Sequence, residues 1–315
     1  MVDERGGPGS ASELHHAVRR SNPAYIRALL GRGPDPNARD ENGERPLHIA
    51  AAKNHGEVVR LLLAAGADPN LFSRAGETPL HTAIRRKRLS AARRLLEGGA
   101  DPNLATKRGD SPLRLTVLYG MWALIPALAA CGADLAKPVD YDYTRPAENE
   151  DARELREYFL EYGADVRRKT GGETLMHAAA RAGELETLRF LCSRGLDPNA
   201  RDLDGKTPAH LACEHRQTGA FEYLLANRAD ISAADIFGET LLHKAVRFGD
   251  RRTVELLLAR GADPNAADAD GKTALHKAAE NNRPELVPLL LQTGANPETK
   301  DSAGKTFADY RRCWE

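Results

Sequence analysis

The sequence predicts an all-α solenoid, and three observations carry that expectation. A short pattern returns along the chain as GERPLH (43–48), GETPLH (76–81), GETLMH (172–177), GKTPAH (205–210), GETLLH (238–243) and GKTALH (271–276). Its histidines fall at one fixed interval: His15, His48 and His81, then His177, His210, His243 and His276. Between them the apolar residues recur at helical spacing in two short runs per period. A fixed period of that length marks units that bury their apolar faces only against their neighbours.

Each unit reads the same way. Threonine followed by proline opens a helix, with the hydroxyl at the N-cap and proline at the first helical position. LHIAAA (47–52) is the first helix of its unit and EVVRLLLAAG (57–66) the second, amphipathic one. Gly33, Gly66, Gly99 and Gly261 then occupy the C-cap place, where a left-handed residue ends a helix. Asp-Pro-Asn follows at 35–37, 68–70, 101–103, 197–199 and 263–265, a turn-forming run that carries the chain out and back to the next unit.

The period has a flaw in the middle. One further interval from His81 reaches Arg114 in GDSPLRL, and another reaches Ala147 in YTRPAE; the interval from there to His177 is short by three. The fourth unit is therefore irregular, and the fifth is degenerate and shortened. The expected organisation is a flexible arm at 1–11, repeats one to four at 12–137, the shortened repeat at 138–168, and repeats six to nine with a truncated capping repeat at 169–315. Pro126 and Pro288 fall inside second helices, where an interior proline removes a hydrogen bond at a cost of about 3 kcal/mol.

Composition excludes several function classes. The chain has 315 residues, 45 basic and 45 acidic side chains, and no net charge. That balance argues against coating nucleic acid or an anionic membrane. Hydrophobic residues make up 41%, enough for a core, and aromatics only 5%, which suits a thin, elongated one. Cys131, Cys192, Cys213 and Cys313 form no C-x-x-C pair and read as isolated buried thiols in a reducing compartment. The opening residues carry no signal-peptide core, and MWALIPALAACGA (121–133) is too short to span a bilayer. No phosphate loop, dinucleotide fingerprint, zinc-protease helix or nucleophile elbow is present. His16, His55 and His215 stand outside the repeat and are expected to face solvent.

The repeated glycine, Thr-Pro-Leu-His, paired helices and Gly-Ala-Asp-x-Asn resemble the ankyrin repeat over residues 12–315. The resemblance implies helix-turn-helix units joined by β-hairpin-like loops, about ten in all, with capping ends. It further implies that His48, His81, His177, His210, His243 and His276 are structural: each imidazole bonds the motif threonine and ties one repeat to the next. In some members the hairpin asparagine is hydroxylated. Asn37, Asn70, Asn103, Asn199 and Asn265 hold that place here, each preceded by proline where an aliphatic residue is more usual.

The function expected from the resemblance is non-catalytic binding of another protein on the concave face. Its candidate residues are Arg74, Arg85, Arg86, Lys107, Arg108, Leu118, Tyr119, Tyr141, Tyr143, Phe237, Arg247 and Phe248; aromatic and arginine side chains are common interface anchors. Residues 73–115 hold ten Lys/Arg against four acids, and residues 138–165 hold nine acids against three Arg. The basic stretch suits a partner with an acidic segment. No cofactor, metal, small-molecule substrate, nucleic acid or membrane is expected, and the chain is expected to be monomeric and cytoplasmic, with entry to the nucleus or delivery into a host cell as alternatives. A substrate adaptor for a ubiquitin ligase, or a bacterial or viral host-interaction protein, is the alternative function; the adaptor normally needs a recruitment box, which the capping unit in DSAGKTFADYRRCWE (301–315) leaves out of this chain and a longer parent chain would have to carry. An enzyme hidden in the acidic fifth unit is the rival from another class, and about 30 residues are too few for a catalytic domain.

Overall fold

The computed structural model describes residues 11–137, 139 and 172–310. The degenerate fifth repeat, and with it Tyr141 and Tyr143, lies outside the described residues. The chain divides into two compact units, residues 1–135 and 136–315. In the first unit, helix pairs follow one another as α1 (Ala11–Arg20) and α2 (Pro23–Leu30), α3 (Pro46–Ala52) and α4 (Gly56–Ala64), α5 (Pro79–Arg85) and α6 (Leu89–Glu97), and α7 (Pro112–Leu118) and α8 (Ile125–Ala130). In the second, the pairs are α9 (Leu175–Ala182) and α10 (Leu185–Ser193), α11 (Pro208–Glu214) and α12 (Thr218–Ala226), α13 (Leu241–Phe248) and α14 (Arg251–Ala259), and α15 (Ala274–Glu280) and α16 (Val287–Gln292). First helices stack on first helices and second on second within each unit. The core between them is leucine, isoleucine, valine and alanine, as in Leu80, Ile84, Leu95, Leu242 and Leu257.

Helix starts show why the motif has its residues. Thr78 is extended at the N-cap and Pro79 fills the first helical place, where a missing N–H costs nothing. The Thr240 N–H donates to His243 Nδ1 at 3.1 Å, with the Thr240 hydroxyl 2.8 Å from the same nitrogen. Because Nδ1 accepts, the ring proton sits on Nε2, which donates to the Lys272 carbonyl of the next repeat at 2.9 Å. His177, His210 and His276 repeat both contacts. His15 and His48 make the second contact, to the Glu44 and Glu77 carbonyls.

Turns supply a second inter-repeat ladder. The Asp35 carboxylate caps the Asn37 N–H at 2.8 Å. The Asn37 amide then reaches the next repeat, donating to the Gly66 carbonyl at 3.2 Å and accepting from the Asp68 N–H at 2.9 Å. Asn70, Asn103, Asn199 and Asn265 do the same. Adjacent hairpin tips are joined by single main-chain bonds, such as Ala269 N–H to the Phe237 carbonyl at 2.9 Å. Gly238 permits that approach: its φ is +72°, and a Cβ there would lie 2.8 Å from the Ala269 nitrogen. The loops are hairpin-like without strands. Among the described residues the lone β-bridge joins Ala234 and Thr240.

Three expectations need correction. Pro126 and Pro288 do not interrupt helices: 3₁₀ turns at Trp122–Leu124 and Pro284–Leu286 precede α8 and α16, so each proline lies in an α-helical first turn. No internal hydrogen bond is lost there. Of the described cysteines, Cys213 is buried but Cys131 is exposed and Cys192 half-buried. His55 is half-buried rather than solvent-facing, and burial lowers its pKa.

Candidate protein-binding face

Hairpin tips and first helices present the side chains that vary between repeats. In the first unit, Arg74 and Lys107 occupy equivalent hairpin places one repeat apart, each laying its aliphatic stem over the glycine of the preceding hairpin, Gly43 and Gly76. Neither forms an ion pair among the described residues, and both are exposed. Arg108 stands beside Lys107, exposed on the same turn. Arg86 is exposed at the C-cap of α5. Arg85 is different: it is held by Glu77 at 2.7 Å and reaches the Tyr119 hydroxyl at 3.5 Å. Leu118 and Tyr119 are half-buried at the end of α7. The structure thus brings Arg85 and Tyr119 together.

The second unit has a charged floor that the sequence reading missed. Four successive repeats pair the residue four before the motif histidine (or its equivalent) with the residue four after it. The pairs are Glu173–Arg181 (2.9 Å), Lys206–Glu214 (3.0 Å), Glu239–Arg247 (3.1 Å) and Lys272–Glu280 (2.7 Å). Their polarity alternates from repeat to repeat. Opposite charges flanking each histidine at equal distances were the visible signal.

Two lysines follow the histidine directly, where other repeats have apolar residues, threonine or, in the first, histidine, and both are buried: Lys244 is 3% exposed and Lys277 4%. Lys244 Nζ bonds Asp235 at 2.8 Å and Glu239, and lies 3.5 Å from Glu214 of the preceding repeat. Lys277 Nζ bonds Asp268 and, across the repeat boundary, Glu239, both at 2.7 Å. Burial opposes the Lys244 charge, but the bonds to Asp235 and Glu239 outweigh it, and its pKa is raised. Glu239 is likewise penalised by burial, yet bonds from Lys244 and Lys277 bring it down to about 2. Lys244 and Glu239 are therefore both charged at neutral pH.

Beside these pairs lies a groove of about 510 Å³, lined by Glu214, Glu239, Lys244 and Lys277 and by Phe237 and Asp270 of the hairpins. Arg247 is engaged with Glu239 at the groove, and Phe248 ends α13 with its carbonyl accepting from Arg216. Among the described residues no group of three His, Cys, Asp or Glu is placed to hold a metal, and no helix is long and apolar enough to cross a membrane.

Stacked helix-turn-helix repeats with varied residues on one exposed row define a repeat scaffold of the kind that binds other proteins. The family model for ankyrin repeats in three copies matches residues 14–137, 146–235 and 231–301, and the chain belongs to the ankyrin repeat family. Ankyrin repeats are protein-interaction modules. No curated protein sequence matches the chain.

Proposed function

We propose that the protein is a non-catalytic scaffold that captures a partner protein bearing an acidic segment on the hairpin tips and first helices of its first unit. The observation that supports this reading is the pair Arg74 and Lys107: two exposed cations at equivalent places, joined by Arg86, with no acid bonded to them among the described residues. Arg108 and Tyr119 border the same row, and Leu118 and Tyr119 supply apolar surface beside it. Charge of this kind accelerates encounter and is screened by salt, while a half-buried aromatic governs dissociation. Arg85 belongs to the row as a positioning residue, because Glu77 already holds it.

The test is parallel affinity capture with the parent chain and an Arg74→Glu, Arg86→Glu, Lys107→Glu variant, with captured proteins quantified by mass spectrometry. The reading predicts a set of acidic proteins retained by the parent at low salt and lost by the variant. An unchanged set refutes it. Against a captured partner, Tyr119→Ala is expected to raise the dissociation rate, at a cost of about 1–3 kcal/mol.

A further inference from the structure

We propose that the hairpin tips of the second unit form a separate docking surface, for an extended protein segment that sets an apolar side chain between two basic ones. Leu203, Ile236 and Phe237 lie on two adjacent tips, and they are 71%, 59% and 43% exposed. Single exposed apolar residues need no explanation, but neighbouring ones form a patch.

The fold does not require them. Each tip places two residues before a left-handed glycine, and the same two places hold Glu41 and Asn42, Arg74 and Ala75, Lys107 and Arg108, Ala269 and Asp270, and Ser302 and Ala303 elsewhere in the chain. The first of the pair covers the preceding glycine, as Ile236 covers Gly205, and arginine or lysine does this equally well. The repeat pattern itself therefore does not call for large apolar side chains at these tips.

Charge narrows the occupant. Asp204, Phe237 and Asp270 are equivalent residues of three successive tips, each passing its carbonyl to the next tip. The aspartates flank the ring, and among the described residues their carboxylates form no ion pair or hydrogen bond. The cations in the groove beneath are already committed: Lys244 and Lys277 to buried acids, Lys206, Arg247 and Lys272 to their partners within each repeat. The charge on the row that lies outside these ion pairs is negative, the reverse of the first unit. Neighbouring repeats lie about 10 Å apart, the packing distance of adjacent helices. An extended chain covers that in about three residues. The matching segment reads basic-x-x-apolar-x-x-basic, with the apolar side chain against Phe237 and Ile236 at the mouth of the groove.

The experiment pans a phage-displayed random peptide library against the full chain at low salt. Enriched sequences are expected to carry an apolar residue between Lys or Arg, and a synthetic fluorescent peptide of the consensus is expected to bind by anisotropy. Phe237→Ser, and separately Asp204→Lys with Asp270→Lys, should each weaken it about tenfold or more. Arg74→Glu with Lys107→Glu should leave it unchanged, which separates this surface from that of the first unit. Circular dichroism of each variant confirms the fold. Failure to enrich, enrichment of acidic peptides, or binding that survives both second-unit variants overturns the proposal. Concentration-dependent dimerisation lost in Phe237→Ser also overturns it, by making a second copy of this chain the occupant.

Discussion

His48 keeps only half of the motif histidine's bonds. Its Nε2 meets the Glu77 carbonyl at 2.9 Å, but Arg45 stands where most other repeats have threonine, and its Nδ1 is buried without a partner. Arginine has no side-chain acceptor for the helix N-terminus, and α3 has no side-chain cap. Arg45→Thr is therefore expected to stabilise the first unit by about 1 kcal/mol, combining a cap with a bond to a buried nitrogen. Differential scanning calorimetry of the single variant measures it; a lowered midpoint would show that the Arg45 bond to the Asn37 carbonyl matters more. The substitution is visible in the sequence, since GERPLH departs from GETPLH at one letter. Its consequence was not, because burial of one ring nitrogen depends on the repeat stacked above it.

At the scale of the element, what was legible is what is local. Caps, helix pairs and left-handed glycines follow from residues a few places apart, and the period gave them in register. The buried lysines were illegible for the opposite reason. Lysine on a short helix reads as solvent-facing, because charged side chains are rarely buried unless paired. Their partners sit on other elements: Glu214 belongs to the repeat before that of Lys244, and Glu239 to the repeat before that of Lys277. The exposed tips escaped too, since Leu203 and Ile236 look like core residues until the turn is placed. Lys244→Met tests the network. Removing the cation leaves the buried Asp235 carboxylate without its lysine, while Glu239 keeps Lys277 and Arg247, a loss of about 3–5 kcal/mol. Adding Asp235→Asn should recover part of it. Urea denaturation gives both numbers, and a Lys244→Met variant as stable as the parent would show that water enters and solvates the acids.

Across the whole molecule these groups add up to a dependence on pH. Burial lowers His48, His81 and His210 to about 4, from 6.5 in the unfolded chain. Below 6.5 the unfolded chain takes up protons that the folded one refuses, so stability falls as pH drops, down to about 4. Glu239 acts on a lower window: its depressed pKa gives stability that is present above 4.5 and lost as pH falls toward about 2. The expected curve is flat at neutral pH, declines from about 6.5, and declines again below 4.5. Thermal midpoints measured from pH 7.5 to 3.5 check it, and a flat profile down to pH 4.5 would contradict neutral, buried histidines.

The alternating polarity of the second-unit pairs has a consequence for how such a chain can be shortened or lengthened. Glu173–Arg181, Lys206–Glu214, Glu239–Arg247 and Lys272–Glu280 form two columns in which sign changes at every step. Excising one period, residues 206–238, brings Glu239–Arg247 against Glu173–Arg181 and gives Lys244 an arginine where Glu214 had been. Excising two, residues 206–271, restores the alternation and offers Glu173 to Lys277 in place of Glu239. The array therefore obeys a parity rule: the two-repeat deletion should unfold at a higher temperature than the one-repeat deletion, although it buries less. Ordinary repeat arrays lose stability with each unit removed. Here copies are exchangeable in twos, so the unit of duplication and loss that the charges tolerate is a pair of repeats rather than a single one.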